Sequence, residues 1–130
     1  MKRRIVVADD DPAIVSLVLL RLEAANFEVF AAPDGSEALA QIRHHRPHAA
    51  ILDVQMPVIG GLAALEVIKA DSAIAAIPVM MLTGERNPEI VMQALGAGAA
   101  DYMVKPFDPD MLVERLNRMI RHSMSAVCEV

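Results

Sequence analysis

Five short apolar runs alternate along the chain with segments of helical pattern. The apolar runs cover 5–8, 27–30, 49–52, 78–82 and 102–104. Helical spacing covers 13–25, 36–45, 62–70 and 88–95, and a last amphipathic segment begins near 108. Short apolar strands joined by helical crossovers are typical of a parallel sheet with helices on both faces. The sequence therefore predicts an α/β fold, a doubly wound (βα)5 domain with a five-stranded parallel sheet.

The composition suits a single domain and argues against a nucleic-acid surface. The chain has 130 residues, of which 55% are hydrophobic, so a sizeable core can form. Seventeen acidic residues against twelve basic ones give a formal charge of −5. Binding of a phosphate backbone requires an excess of positive charge, and stacking on single-stranded bases requires more aromatic residues than the 3% present. We expect no direct contact with nucleic acid.

The cysteine count and the hydropathy pattern indicate the compartment. Cys128 is the single cysteine, so no disulfide can form within the chain, and a reducing cytoplasm is expected. The apolar run after Met1 stops at Ala8, which is too short for a signal peptide. No apolar stretch approaches the roughly 20 residues that span a bilayer. We expect a cytoplasmic protein that makes no membrane contact.

Polar side chains follow four of the predicted strands, at the point where each strand ends. Asp9 and Asp10 follow the first, Asp53 the third, Thr83 the fourth and Lys105 the fifth. The carboxyl ends of parallel strands line the ligand crevice of an open α/β sheet, so these side chains should meet at one edge. Helix capping explains a single loop acid, but it explains poorly all four segments together. The pattern indicates a functional site.

The charge of this edge favours a divalent cation. Three aspartates and one lysine leave a formal charge of −2 in a partly buried cleft, which would raise a carboxylate pKa or recruit a cation. Mg²⁺ suits carboxylates, water and a phosphate oxygen, whereas no Cys/His set has the spacing of a zinc site. A carboxylate can itself accept a phosphoryl group. Because the glycine-rich loops of nucleotide binders are missing, we expect a phosphoprotein or an acyl phosphate as donor.

With these features the sequence resembles the receiver domain of bacterial two-component response regulators, over about residues 3–120. The resemblance rests on four segments in order: IVVADDDP at 5–12, ILDVQMP at 51–57, LTG at 82–84 and KPF at 105–107. It implies a flavodoxin-like, CheY-like fold with strand order 2-1-3-4-5. It also implies a receiver domain over 1–121, followed by a tail or the start of a linker over 122–130.

The resemblance also implies roles for individual residues. Asp53 would be the phosphoacceptor, Thr83 would hydrogen-bond the phosphoryl group and Lys105 would pair with it. Tyr102 would be the aromatic switch residue coupled to Thr83. The Lys105–Pro106 bond would be cis. Mg²⁺, or Mn²⁺ in its place, would be held by the following groups: Asp9, acting through a bound water, Asp10, Asp53 and the backbone carbonyl of Gln55.

The implied function is signalling through a phosphoryl group and not turnover of a substrate. A sensor histidine kinase or a histidine phosphotransfer protein would be the donor. A downstream protein or a fused output domain would read the face formed by 87–121, and a homodimer is left open. Two other classes compete. A haloacid-dehalogenase-like phosphohydrolase would carry a second acid where Gln55 stands, and a flavodoxin-like cofactor binder would carry a Ser/Thr/Gly-rich loop in place of Asp9 to Asp11.

Overall fold

A five-stranded parallel sheet forms the centre of the molecule, and its strand order is β2-β1-β3-β4-β5. The computed structural model describes residues 2–128, and side chains as far as Met124. The strands are β1 Arg3–Ala8, β2 Phe27–Ala32, β3 Ala49–Leu52, β4 Val79–Thr83 and β5 Asp101–Val104. All four neighbouring pairs are parallel. The predicted fold class and strand order are therefore confirmed.

Five helices cover the two faces of the sheet. They are α1 Pro12–Ala24, α2 Gly35–His45, α3 Gly61–Ala70, α4 Pro88–Gly96 and α5 Pro109–Cys128. Alternate residues of β1 point to opposite faces, as the period of a strand requires. Val6 packs with α2, α3 and α4 in one buried cluster, and Val7 packs with α1 and α5 in the other. The domain is doubly wound, as the sequence predicts.

Side-chain caps explain where three of the helices begin. Asp11 accepts a hydrogen bond from the backbone N–H of Ala13, and Asp34 accepts one from that of Glu37. Asn87 caps α4 in the same way. Such caps satisfy backbone donors that have no partner within the helix. The predicted boundaries of most elements are right to within one residue, whereas β1 and β2 are each two residues longer than predicted.

Two glycines hold the loop after β3 close to its neighbours. A Cβ at Gly61 would lie 2.0 Å from the carbonyl oxygen of Asp53, and one at Gly35 would lie 2.2 Å from that of Ile59. The loop after β3 also contains Val58 at a φ of 69°, which is unusual for a β-branched residue. This packing fixes the backbone directly behind Asp53.

The end of the chain continues the last helix. α5 runs to Cys128, so residues 122–128 extend the helix beyond the predicted domain boundary at 121. The last two residues of the predicted tail lie outside the described residues. Assignment of 122–130 as a tail or the start of a linker stays a prediction.

Candidate functional site

Two neighbouring strands bring Asp9 and Asp53 side by side. Asp9 directly follows β1, Asp53 directly follows β3, and these two strands pair with each other. The backbone N–H of Asp53 donates to the carbonyl oxygen of Ala8 at 3.0 Å, which continues the ladder by one step. Asp9 is 4% exposed and Asp53 is 6% exposed. The strand ends thus bury two carboxylates where apolar strand residues give way to loop.

Lys105 supplies the positive charge between these carboxylates. Its ammonium donates to Asp9 Oδ2 at 2.5 Å and to Asp53 Oδ2 at 3.0 Å. The residue follows β5, two strands away from β3, so a long side chain is needed to reach both acids. The Lys105–Pro106 peptide bond is cis, as the resemblance implied.

Burial and ion pairing act in opposite directions on these groups. Burial raises the pKa of Asp9 above its usual value, and the hydrogen bond from Lys105 offsets only part of this effect. Burial also works to lower the pKa of Lys105, but its hydrogen bonds to Asp9 and Asp53 prevail and raise it. Lys105 therefore stays a cation at neutral pH, and the nearby carboxylates still exceed it in charge.

Three carboxylates converge closely enough to share one cation. Oxygen atoms of Asp9, Asp10 and Asp53 all lie within 4.8 Å of one another. Asp10 is exposed and borders a cleft of about 370 Å³ next to α1, so solvent and ions can reach the cluster. An all-oxygen set with excess negative charge is the donor chemistry that Mg²⁺ prefers. The residues present fit a magnesium site.

Gln55 lies two residues after Asp53 in the loop that follows β3. Its backbone N–H donates to Asp53 Oδ1 at 3.1 Å, and its side chain is exposed. This hydrogen bond holds one carboxylate oxygen of Asp53 while Lys105 holds the other.

Thr83 and Tyr102 meet at the loop between β4 and α4. Thr83 is 1% exposed, and its Oγ1 accepts a hydrogen bond from the backbone N–H of Glu85 at 3.2 Å. The hydroxyl of Tyr102 donates to the backbone carbonyl of Glu85 at 2.8 Å. Burial and the nearby charges of Glu85 and Asp53 raise the pKa of Tyr102, so the phenol stays protonated. One loop residue thus connects the two side chains.

The predicted site residues therefore fall into two groups. Asp9, Asp53 and Lys105 are in direct contact, with Asp10 beside them. Thr83 joins Tyr102 through Glu85, and within residues 2–128 the hydroxyl of Thr83 makes no hydrogen bond to Asp53.

Comparison with known proteins agrees with this arrangement. The model of the response regulator receiver domain family matches residues 5–117. The chain belongs to this family. The DNA-binding response regulator MtrA of Mycolicibacterium smegmatis is 35% identical over 130 residues, which cover 100% of this chain and 56% of that protein. The chain thus spans about half the length of the curated relatives it matches.

Solved receiver structures share the whole architecture. The chemotaxis protein CheY4 of Vibrio cholerae superposes with a TM-score of 0.86 at 34% identity, covering 92% of this chain and 99% of that one. A CheY-like receiver domain protein from Methanospirillum hungatei gives a TM-score of 0.90 at 30% identity, with 97% and 99% covered. This receiver domain is therefore part of a two-component system. The haloacid-dehalogenase-like alternative receives no support.

The domain shows contacts that the sequence did not reveal. A guanidinium nitrogen of Arg86 donates to the backbone carbonyl of Lys105 at 3.1 Å, which ties the β4–α4 loop to the β5–α5 loop. The partner is a main-chain oxygen, so no pair of side chains in the sequence signals this contact.

Among residues 2–128, no helix combines the length and apolar character needed to cross a membrane.

Proposed function

We propose that Asp53 accepts a phosphoryl group from a phosphohistidine of a sensor kinase or a phosphotransfer protein. The observation that carries this proposal is the buried carboxylate of Asp53, held at 3.0 Å by Lys105 and adjacent to two further carboxylates. An oxygen of Asp53 attacks phosphorus and forms the P–O bond. The P–N bond breaks, and its electron pair leaves on the imidazole nitrogen.

The acidic cluster would hold the metal ion. Asp10, Asp53 and the backbone carbonyl of Gln55 would bind Mg²⁺ directly, and Asp9 would bind through a water molecule. When bound, Mg²⁺ neutralises charge on the phosphoryl oxygens. Mn²⁺, which also prefers oxygen ligands, could take its place.

Lys105 and Thr83 would contact the transferred group. The ammonium of Lys105 already lies between Asp9 and Asp53, where it can pair with a phosphoryl oxygen after a small displacement. The hydroxyl of Thr83 can turn from the N–H of Glu85 toward the same group. Positioning and charge neutralisation are the main demands of phosphoryl transfer.

The output would be a change of shape. Phosphorylation adds about −1.5 to −2 of charge and three acceptor oxygens. Thr83 would follow these acceptors and Tyr102 would follow Thr83, which alters the face formed by 87–121. A downstream protein, a second copy or a fused output domain would read this face. The domain would act in the cytoplasm as a phosphoacceptor and not as a turnover enzyme, without touching nucleic acid or membrane itself.

Incubation with acetyl phosphate tests the proposal. With Mg²⁺ present, intact mass spectrometry should show the addition of one phosphoryl group, labile to hydroxylamine. Removal of Mg²⁺ by a chelator, or the substitution Asp53→Ala, should abolish it. Addition of the same mass to Asp53→Ala would place the acceptor elsewhere, and failure of every donor to label a protein shown to bind Mg²⁺ would refute the proposal.

A second variant separates the role of Lys105 from that of the acceptor. Lys105→Ala should keep some labelling, because Asp53 and the metal ligands remain, but it should lose the conformational response. If the spectroscopic signals of Tyr102 change normally when Lys105→Ala is phosphorylated, the proposed role of the lysine is wrong.

A further inference from the structure

Glu85 makes one set of contacts with its backbone and another with its side chain. Its backbone connects Thr83 and Tyr102. Its carboxylate accepts a hydrogen bond from the backbone N–H of Asn87 at 3.0 Å, and a weaker one from the side-chain amide of Gln55 at 3.4 Å. The carboxylate therefore joins the loop after β3 to the residue that caps α4.

The contacts of this carboxylate extend in both directions. On one side, the backbone N–H of Gln55 donates to Asp53 Oδ1 at 3.1 Å. On the other side, the side chain of Asn87 accepts from the N–H of Glu89 at 2.9 Å and caps α4. A continuous series of hydrogen bonds thus runs along the carboxyl edge of the sheet from the acceptor to the first turn of α4.

We propose that Gln55 and Glu85 are positioning residues that couple Asp53 to the start of α4 through their side chains, separately from the Thr83–Tyr102 pair. This proposal rests on the proposed function, because phosphorylation of Asp53 is the event that operates the coupling. It assigns to Gln55 and Glu85 a role in how the signal leaves the site.

Charge supplies the physical cause. A phosphoryl group on Asp53 attracts the side-chain amide of Gln55, since charged acceptors form the stronger hydrogen bonds. The same negative charge repels the carboxylate of Glu85. Their contact opens, and Glu85 withdraws from the N–H of Asn87. Loss of a carboxylate near a helix N-terminus weakens the first turn, so α4 begins differently in the phosphorylated domain.

Three variants test the coupling. Glu85→Gln removes the charge but keeps an oxygen that can accept from Asn87. Gln55→Met keeps the length of the side chain but removes its donor. Glu89→Gln is the matched control, because it removes a carboxylate four residues further along, in the first turn of α4, and that carboxylate receives no hydrogen bond from Gln55 or Asn87.

The measurement is the change in amide chemical shift on phosphorylation with Mg²⁺ and acetyl phosphate. The phosphorylated fraction of each protein is first established by intact mass. The amides of Asn87 and Glu89 report on α4, and the ring of Tyr102 reports on the other route. In Glu85→Gln and Gln55→Met we expect the α4 response to fall about threefold, while the Tyr102 response is retained.

Two results would overturn the coupling while the proposed function stands. One is a full α4 response in phosphorylated Glu85→Gln and Gln55→Met. The other is an equal loss of response in the control Glu89→Gln, which would show a general effect of helix charge. Absence of the phosphoryl mass from the unaltered protein would instead refute the proposed function, and the coupling with it.

Discussion

Removal of the Lys105 ammonium should make the stability of the domain depend on magnesium. Lys105→Met keeps most of the aliphatic volume but leaves Asp9 and Asp53 without their shared cation. The formal charge of the cluster changes from −2 to −3. Without metal, repulsion among the carboxylates then opposes folding. Asp9 is affected most, because it is buried and solvent stabilises its negative charge the least.

The expected cost is about 2 kcal/mol of unfolding free energy at neutral pH in a chelator. Hydrogen bonds to charged groups contribute about 1.5–3 kcal/mol each, and truncating one member of a buried ion pair costs about 3–5 kcal/mol. We take a lower value because the Lys105 side chain is 18% exposed, so solvent screens part of the interaction. Saturating Mg²⁺ should recover about half of this free energy. That recovery corresponds to roughly fivefold tighter Mg²⁺ binding by Lys105→Met than by the unaltered protein.

Urea denaturation with and without Mg²⁺ provides the assay, and Lys69→Met is the matched control. The ammonium of Lys69 donates to the backbone carbonyls of Ala75 and Ile77 at 2.9 Å each, at a distance from the acidic cluster. Its removal should also lower the free energy of unfolding, but Mg²⁺ should not recover any of that loss. Equal rescue of both variants by Mg²⁺, or no rescue of Lys105→Met, would refute this role of the Lys105 ammonium.

Three further predictions test the local structure. Val58→Gly should raise the free energy of unfolding, measured in urea, by about 0.5–1 kcal/mol. The gain from relieving a φ of 69° exceeds the cost of the added unfolded-state entropy, and little packing is lost because the side chain is 81% exposed. A lower free energy of unfolding would show that Val58 is not strained. Gly61→Ala should lower the free energy of unfolding by about 2 kcal/mol or more, since its Cβ would lie 2.0 Å from the carbonyl oxygen of Asp53. Gly96→Ala faces open space and should cost nothing. Burial, with the nearby charge of Arg4, lowers the pKa of His48, whose Nδ1 accepts from the Arg4 N–H. The unfolded chain then binds the proton more readily, so stability should fall as the pH drops below about 6.5, and His48→Gln should reduce this slope; an unchanged slope would exclude His48 as its source.

The sheet and the acidic cluster could be predicted because both depend on patterns that are local in sequence. Each strand is a short apolar run, and its polar successor marks the carboxyl edge. Once parallel strands are inferred, Asp9, Asp53 and Lys105 must approach one another whatever the details of the loops. The structure confirms their contact.

The loop geometry could not be predicted, because it depends on packing between distant segments. Val58 adopts a positive φ in a loop where Ile59 receives a hydrogen bond from Gly35 of α2. The backbone N–H of Glu85 donates to the hydroxyl of Thr83, and the guanidinium of Arg86 donates to the backbone carbonyl of Lys105. Any residue offers a backbone carbonyl, so the sequence carries no sign of which one a side chain will reach.

Trapping the acyl phosphate at its own residue shows directly whether Asp53 is the phosphoacceptor. Borohydride reduces an aspartyl phosphate to homoserine, so peptide mapping after incubation with Mg²⁺ and acetyl phosphate identifies the acceptor. We predict homoserine at position 53 and unmodified aspartate at Asp9 and Asp10. Homoserine at either of those positions, or an equal yield of homoserine without Mg²⁺, would contradict Mg²⁺-dependent phosphorylation of Asp53.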